Sequence, residues 1–301
     1  MAALNQVIFE KPDIDALKKE YTVFDLHFHT HYSDGRNSVE AIARKARDLG
    51  IGIAITDHNE IRGALEMEKQ KDILSIPGIE ITSREGTHIL VYFYDAESLK
   101  KFYRQYIEPS LGSGIMCSTR LSMEEIINSA KLFNCITIFP HPYCAAYTGL
   151  YNLNFSAARI EHMLEKVDGV EVINAENIHR WNLRCALLGF NLGKAMTGGS
   201  DGHVLYNMGK VVTYAACPPG RGEFMDAVKN RQTGIVGKEI NLLRRVAYSS
   251  AKLNTNIMNY PQLLEKNIRY SYRLINIKSH FLKERLRMNL RRRKDKFRPL
   301  V

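Results

Sequence analysis

Short apolar runs alternate along this chain with longer segments of helical period, and polar residues gather where the apolar runs end. Residues 51–55 are an almost continuous apolar run, the pattern of a parallel strand buried on both faces. Before it, Ser38 precedes a stretch with Ala, Ile and Leu at helical spacing, and Gly50 follows Leu49. Those start and stop signals predict a helix over 39–49. The same reading predicts helices over 60–71, 96–106, 122–133 and 180–192, and strands over 73–81, 88–94, 135–139, 169–173 and 194–198. Strand, helix, strand with polar ends is the grammar of an α/β barrel, whose chemistry collects at the C-terminal strand ends. The Gly/Ser-containing loop 109–120, lying between two predicted helices, is the segment expected to close over a cleft.

The stretch Asp25-Leu26-His27-Phe28-His29-Thr30-His31-Tyr32-Ser33-Asp34-Gly35 concentrates candidate chemistry. On a strand, Asp25, His27 and His29 share one face, and Phe24, Leu26 and Phe28 share the other, which would pack against covering helices. Asp34-Gly35 then turns the chain so that a further carboxylate reaches the same place. A His-x-His on a strand fits either a metal site or two ordinary hydrogen-bonded histidines, since neutral imidazole is the commonest metal ligand. Asp57, His58, Glu80, His88, His141, Asp201 and His203 also fall near predicted strand ends, and together with His27 and His29 they include six of the ten histidines. Taken singly, Asp57 reads equally as a helix cap, and His88 or His141 as a core histidine. Glu80, inside an apolar strand, needs a partner because a lone buried charge is costly. A cluster of metal ions supplies that partner for all of them together.

Composition narrows the class. With 301 residues, 45% of them hydrophobic, the chain can bury one large core or two modest ones. No apolar run approaches the roughly 20 residues that span a bilayer. The first residues carry charge too early for a signal peptide, which predicts a cytoplasmic protein. Five cysteines, an odd number with no Cys-x-x-Cys, argue against a disulfide framework and a thiolate zinc site. The net charge of +10 is uneven: residues 1–250 hold 28 Lys+Arg against 29 Asp+Glu, and 251–301 hold 14 against 3. Any anionic partner inferred from basicity therefore concerns the tail.

The opening stretch, Thr56-Asp57-His58-Asn59, Pro77-Gly78-Ile79-Glu80-Ile81, Thr87-His88, Pro140-His141-Pro142 and Gly199-Ser200-Asp201-Gly202-His203 resemble, in order and spacing, the motifs of the PHP (polymerase and histidinol phosphatase) phosphoesterases. The resemblance spans residues 23–213. It implies a distorted seven-stranded (β/α)7 barrel with two or three metal ions at the strand ends. By position it implies one ion on His27, His29, Glu80 and Asp201, a second on Glu80, His88 and His141, and a third on Asp34, His58 and His203. Nitrogen and oxygen donors suit manganese, iron and zinc alike. Two ions about 3.5–4 Å apart can share a hydroxide that attacks phosphorus in line, which needs no protein nucleophile. Asp57 and Asp25 then orient ligand histidines. Arg36, Arg84, Arg120 and Arg180 are candidate phosphate donors, each also readable as a surface charge. The expected reaction is hydrolysis of a phosphomonoester or terminal nucleotide phosphate. A small nucleotide or oligonucleotide is preferred to histidinol phosphate as substrate, although no base pocket is legible. No polymerase segment is evident.

The chain thus reads as a barrel over 1–250 and a basic tail over 251–301. Over 263–294 no proline or glycine interrupts a helical period in which Leu264, Ile268, Leu274, Ile275, Phe281, Leu282 and Leu286 form a stripe opposite Arg269, Arg273, His280, Lys283, Arg287 and Arg291. Such a helix suits an anionic membrane surface, a nucleic acid, or packing on the barrel or on a second subunit of a homo-oligomer. The rival reading from another class is a non-catalytic, metal-stabilised barrel whose basic tail binds the anionic partner.

Overall fold

A computed structural model describes residues 6–114, 116–144, 148–152 and 155–241. The predicted tail helix over 263–294 lies outside the described residues. In chain order the elements are β1 (Gln6–Ile8), α1 (Ile14–Leu17), β2 (Thr22–Phe28), α2 (Val39–Leu49), β3 (Gly52–Ile55), α3 (Arg62–Met67), β4 (Ser75–Thr82), β5 (His88–Phe93), α4 (Ala96–Phe102), α5 (Met123–Ala130), β6 (Cys135–Phe139), α6 (Ala157–Lys166), β7 (Gly169–Asn174), α7 (His179–Leu192), β8 (Ala195–Gly199), β9 (Val211–Ala215), α8 (Arg221–Lys229) and β10 (Thr233–Gly237).

Local chemistry accounts for several boundaries. Ser38 caps α2 by accepting from the Ala41 N–H at 3.3 Å, and Gly50 ends it in the left-handed region at φ 69°. Ser122 and Glu125 form a reciprocal capping box at the start of α5. Expected helices 60–71 and 122–133 are shorter in the structure, at Arg62–Met67 and Met123–Ala130, whereas the one over 96–106 runs on from Ala96–Phe102 as a π-helical turn over Tyr103–Ile107.

The strands form one sheet in the order β1-β10-β9-β2-β3-β4-β5-β6-β7-β8. β2 to β8 make seven consecutive staves, and the sheet curls until β2 meets the segment after β8. There the Gly202 N–H donates to the His27 carbonyl at 3.2 Å and the His29 N–H to the Gly202 carbonyl at 2.9 Å. This is the distorted α/β barrel type. β5 runs antiparallel to both neighbours, and β9, β10 and β1 extend the sheet beyond β2. The larger apolar cluster lies between sheet and helices and includes Phe28, Ile42, Ala46, Met67 and Ile126. A second holds Phe24, Leu26, Leu90, Tyr92 and Ile138 with Phe224 and Met225 of α8. Phe24 and Leu26 therefore part company with Phe28, contrary to the simple alternation expected of β2. The pairing register between β2 and β3 shifts between Asp25 and Phe28, and such a shift turns side chains to the other face.

Candidate metal centre

Glu80, in β4, is 1% exposed and lies at the middle of the strand-end cleft. Its Oε2 faces His27 Nε2 at 3.5 Å, His29 Nε2 at 3.5 Å and His58 Nδ1 at 3.0 Å. Its Oε1 faces His88 Nδ1 at 2.8 Å and His141 Nε2 at 3.4 Å. Asp201 Oδ1 lies 3.1 Å from His29 Nε2 and 3.5 Å from His27 Nε2. Asp34 Oδ1 lies 3.1 Å from His203 Nε2, 3.7 Å from His58 Nε2 and 3.8 Å from His29 Nδ1. The structure thus brings all nine expected ligands into one continuous cluster, from the ends of β2, β3, β4, β6 and β8 and the start of β5.

The donor set fits metal ions. His29, Asp34, His58 and His203, then His27, His29 and Asp201, then His58, Glu80 and His88 each converge so that one ligand atom per residue lies within 4.8 Å of the others. His27 Nε2, His29 Nδ1, His58 Nδ1 and Glu80 Oε2 are buried with no well-aligned hydrogen-bond partner among the described residues. Buried polar atoms left in that state are expensive unless something else binds them. Two of the residues involved, His141 at φ 32° and Asp201 at φ 50°, hold left-handed backbone, a strain that persists where surrounding structure imposes it.

Electrostatics divide the imidazoles. Burial lowers His29, the charges of His203 and His58 add to this, and the net value is about 3. Burial likewise lowers His88, to about 4. For His27 burial also opposes charge, but the carboxylates of Asp201, Glu171 and Glu80 outweigh it and hold the ring well above its ordinary value. His141 is raised in the same sense, by Cys144 and Glu80 against burial. Burial pushes Glu80 and Asp201 up, yet the surrounding imidazoles hold both well below the usual carboxylate range.

The supporting carboxylates differ from expectation. Among the described residues the hydrogen bonds of Asp57 go to the loop and not to a ligand imidazole: its oxygens accept from Thr30 N and Thr30 Oγ1, each at 2.7 Å, and from Ser33 Oγ at 2.6 Å. It pins the loop that carries Asp34, and burial raises it to about 6. Asp25 accepts from Ser200 N at 2.9 Å and Gly209 N at 3.0 Å, tying β2 to the Asp201 loop. The residue that does orient an imidazole is Glu171, in β7, 1% exposed. Its Oε1 lies 3.0 Å from His27 Nδ1, while Oε2 accepts from His141 N at 3.0 Å and Asn174 Nδ2 at 2.9 Å. Asn174 also donates to Asp201 Oδ2 at 3.2 Å. One strand that supplies no expected ligand therefore touches three of them. The sequence did hold a signal, a charged residue at the centre of the apolar run Gly169-Val170-Glu171-Val172-Ile173.

Arg36, Arg84, Arg120 and Arg180 are all exposed. The Arg36 N–H donates to the His203 carbonyl at 2.9 Å, placing its backbone at the cluster's edge. The Arg120 guanidinium donates to the Pro109 carbonyl, and Arg180 sits in the first turn of α7. Loop 109–120 is tied to the site: Asn59 Nδ2 donates to the Cys117 carbonyl at 2.9 Å and Thr119 N to the Thr82 carbonyl at 2.8 Å. Among the described residues no helix is long and apolar enough to cross a membrane.

A curled α/β sheet with this cluster at its strand ends has the architecture of a metal-dependent hydrolase. The PHP-domain profile matches residues 25–166 and that of the PHP-associated region residues 179–233. An uncharacterized protein of Methanocaldococcus jannaschii is 31% identical over 166 residues, 50% of this chain and 81% of that relative. The chain belongs to the PHP-domain family. Its fold is similar to that of a two-domain protein of Bacteroides vulgatus containing a predicted PHP-like metal-dependent phosphoesterase, with TM-score 0.55 at 19% identity, covering 80% of this chain and 72% of that one. It is also similar to the lesion-specific endonuclease EndoQ of Pyrococcus furiosus, with TM-score 0.60 at 18% identity, covering 71% and 57%.

Proposed function

We propose that the chain hydrolyses a phosphomonoester or a terminal nucleotide phosphate, using two or three divalent manganese, iron or zinc ions held by His27, His29, Asp34, His58, Glu80, His88, His141, Asp201 and His203. The observation that carries this reading is Glu80, whose Oε2 faces His27, His29 and His58 while its Oε1 faces His88 and His141, so that it would be able to serve two ions. Bound there, such ions polarise the phosphoester and activate an attacking water. The chain's own part is to hold the donors still. Glu171 accepts from His27 Nδ1, which leaves Nε2 as the ligating nitrogen; the assignment follows from the donor and acceptor roles of imidazole. Asp57 fixes the loop bearing Asp34, and Asn174 steadies Asp201. Arg36, whose N–H donates to the His203 carbonyl, is a candidate for a phosphate oxygen beside Arg84, Arg120 and Arg180.

Endonuclease Q has also been captured with a DNA duplex carrying an abasic lesion at its active site, and the shared fold is consistent with a nucleotide or oligonucleotide as the phosphoester. The deciding experiment combines metal analysis with phosphate release from p-nitrophenyl phosphate and nucleoside monophosphates in added manganese, beside Asp201→Ala. Bound metal and turnover, both reduced in the variant, support the reading; a chain that takes up no metal refutes it. The division into a barrel over 1–250 and a basic tail over 251–301 is part of the same proposal. Deleting 251–301 should leave turnover of a small phosphomonoester nearly intact. Metal uptake without turnover, with anion binding lost on deletion, would favour the non-catalytic binding reading instead.

A further inference from the structure

Beside the cluster, on the β6–β7 side, lies a group of side chains that phosphate chemistry alone does not require. Tyr143 follows the His141 motif by two residues, so their Cα atoms are within about 7 Å of each other. Tyr151 stacks on it with centroids 4.1 Å and planes 14° apart. Trp181, in the first turn of α7, is parallel to Tyr143 within 7°, at 6.3 Å. The exposed Arg184 sets its guanidinium 5.0 Å from the Trp181 ring centre and 5.8 Å from that of Tyr143. β6 and β7 are parallel, so the loop after β6 and the start of α7 both lie at the strand ends that carry the cluster.

The three rings are half-buried, not sealed into the core. The Tyr143 backbone is clamped from below: its N–H donates to Cys185 Sγ at 3.4 Å and its carbonyl accepts from Asn177 Nδ2 at 2.8 Å. The Trp181 Nε1–H has no hydrogen-bond partner among the described residues, so the indole is held by its faces and not by its polar atom. Aligned aromatic faces with a guanidinium above them are what a planar base stacks on, whatever its sequence identity.

We infer that Tyr143, Trp181 and Arg184 form a subsite that stacks the base of a nucleotide whose phosphate reaches the cluster. The inference rests on the phosphoesterase reading and narrows its substrate to phosphoesters that carry a nucleobase.

Trp181 is the sole tryptophan of the chain, so its fluorescence reports from the stack itself. The full-length chain, loaded with zinc, is titrated with AMP, ribose 5-phosphate and an imidazolyl phosphomonoester. AMP should quench Trp181 and ribose 5-phosphate should not. The AMP-to-ribose 5-phosphate ratio of kcat/KM should fall about 10- to 100-fold in Trp181→Ala and be largely restored in Trp181→Phe. Should Trp181→Ala fail to fold, Arg184→Ala, a change at an exposed position, should weaken the quenching by AMP. Equal quenching by ribose 5-phosphate, a ratio unmoved by Trp181→Ala, or tighter binding of the imidazolyl compound than of AMP would overturn the nucleobase subsite. Hydrolysis of both AMP and ribose 5-phosphate with equal KM and no quenching would sink the subsite and leave the phosphoesterase standing. Quenching by AMP with no hydrolysis of either compound would do the reverse.

Discussion

Replacing Glu171 by glutamine changes one atom of a residue outside the expected ligand set, and the structure says why that should matter. Oε1 faces the His27 ring nitrogen at 3.0 Å, and Oε2 takes two donors, the His141 N–H and the Asn174 amide. A carboxylate accepts in all three places; an amide has one accepting oxygen and one donating nitrogen. With the amide nitrogen towards His141 and Asn174, donors meet donors. With it towards His27, Nδ1 must accept, the ring proton moves to Nε2, and the ligating nitrogen is blocked. Either orientation gives up charge-assisted hydrogen bonds at a site 1% exposed, each worth about 1.5–3 kcal/mol. Outer partners of ligand histidines typically contribute 10- to 100-fold to metal affinity, or about 1.4–2.8 kcal/mol, and Glu171→Gln should fall in that range. The assay is competition with a chelator of known affinity, with circular dichroism to establish that the metal-free variant is folded. A folded Glu171→Gln chain with wild-type affinity would refute the argument that Glu171 sets the His27 tautomer.

Two other perturbations test the site from different directions. His27 and His141 are held well above their ordinary value in the metal-free chain. The stability they contribute is therefore complete below about 6.5 and lost as pH rises through their raised values. Both rings are pushed towards the protonated form in the metal-free chain, and a ligand nitrogen cannot keep that proton, so metal binding should release protons; calorimetry in buffers of different ionisation enthalpy measures this, and no release would contradict the direction of the shifts. Gly199 lies against β2 so closely that an added Cβ would meet His27 Cβ at 2.4 Å and His27 N at 2.7 Å. Gly199→Ala should cost about 1–3 kcal/mol by overpacking and weaken metal uptake through His27, read as a lower Tm and a smaller metal-induced rise in Tm; a wild-type rise would count against that close approach.

Much of this was legible beforehand. The cap at Ser38, the stop at Gly50 and the apolar run of β6 act within a turn or a few residues, and those elements stand where the pattern placed them. The site residues were legible because their types are rare at strand ends in such density. Asp57 was legible as a polar residue at a strand end but not in its partners, since Thr30 and Ser33 take the carboxylate that was expected to reach a histidine. Glu171 and Asn174 went unread because one buried acid in a strand says only that some partner exists. The antiparallel course of β5 and the extension through β9, β10 and β1 were likewise hidden, as strand direction is fixed by pairing and not by composition.

The sequence by itself determined the alternation of strands and helices, the concentration of imidazoles and carboxylates at strand ends, and the separation of a near-neutral body from a basic tail. These follow from hydrophobic periodicity, capping and charge, which are properties of neighbouring residues. Only the tertiary structure decided which oxygen of Glu80 faces which imidazole, that β7 orients ligands carried by β2 and by the loops after β6 and β8, and that Tyr143 and Trp181, 38 positions apart, lie parallel. Distances of this kind depend on sheet register and on a shift in β2 that turns side chains to the other face. That register is set by the packing of the whole sheet, so no single stretch of the chain contains it.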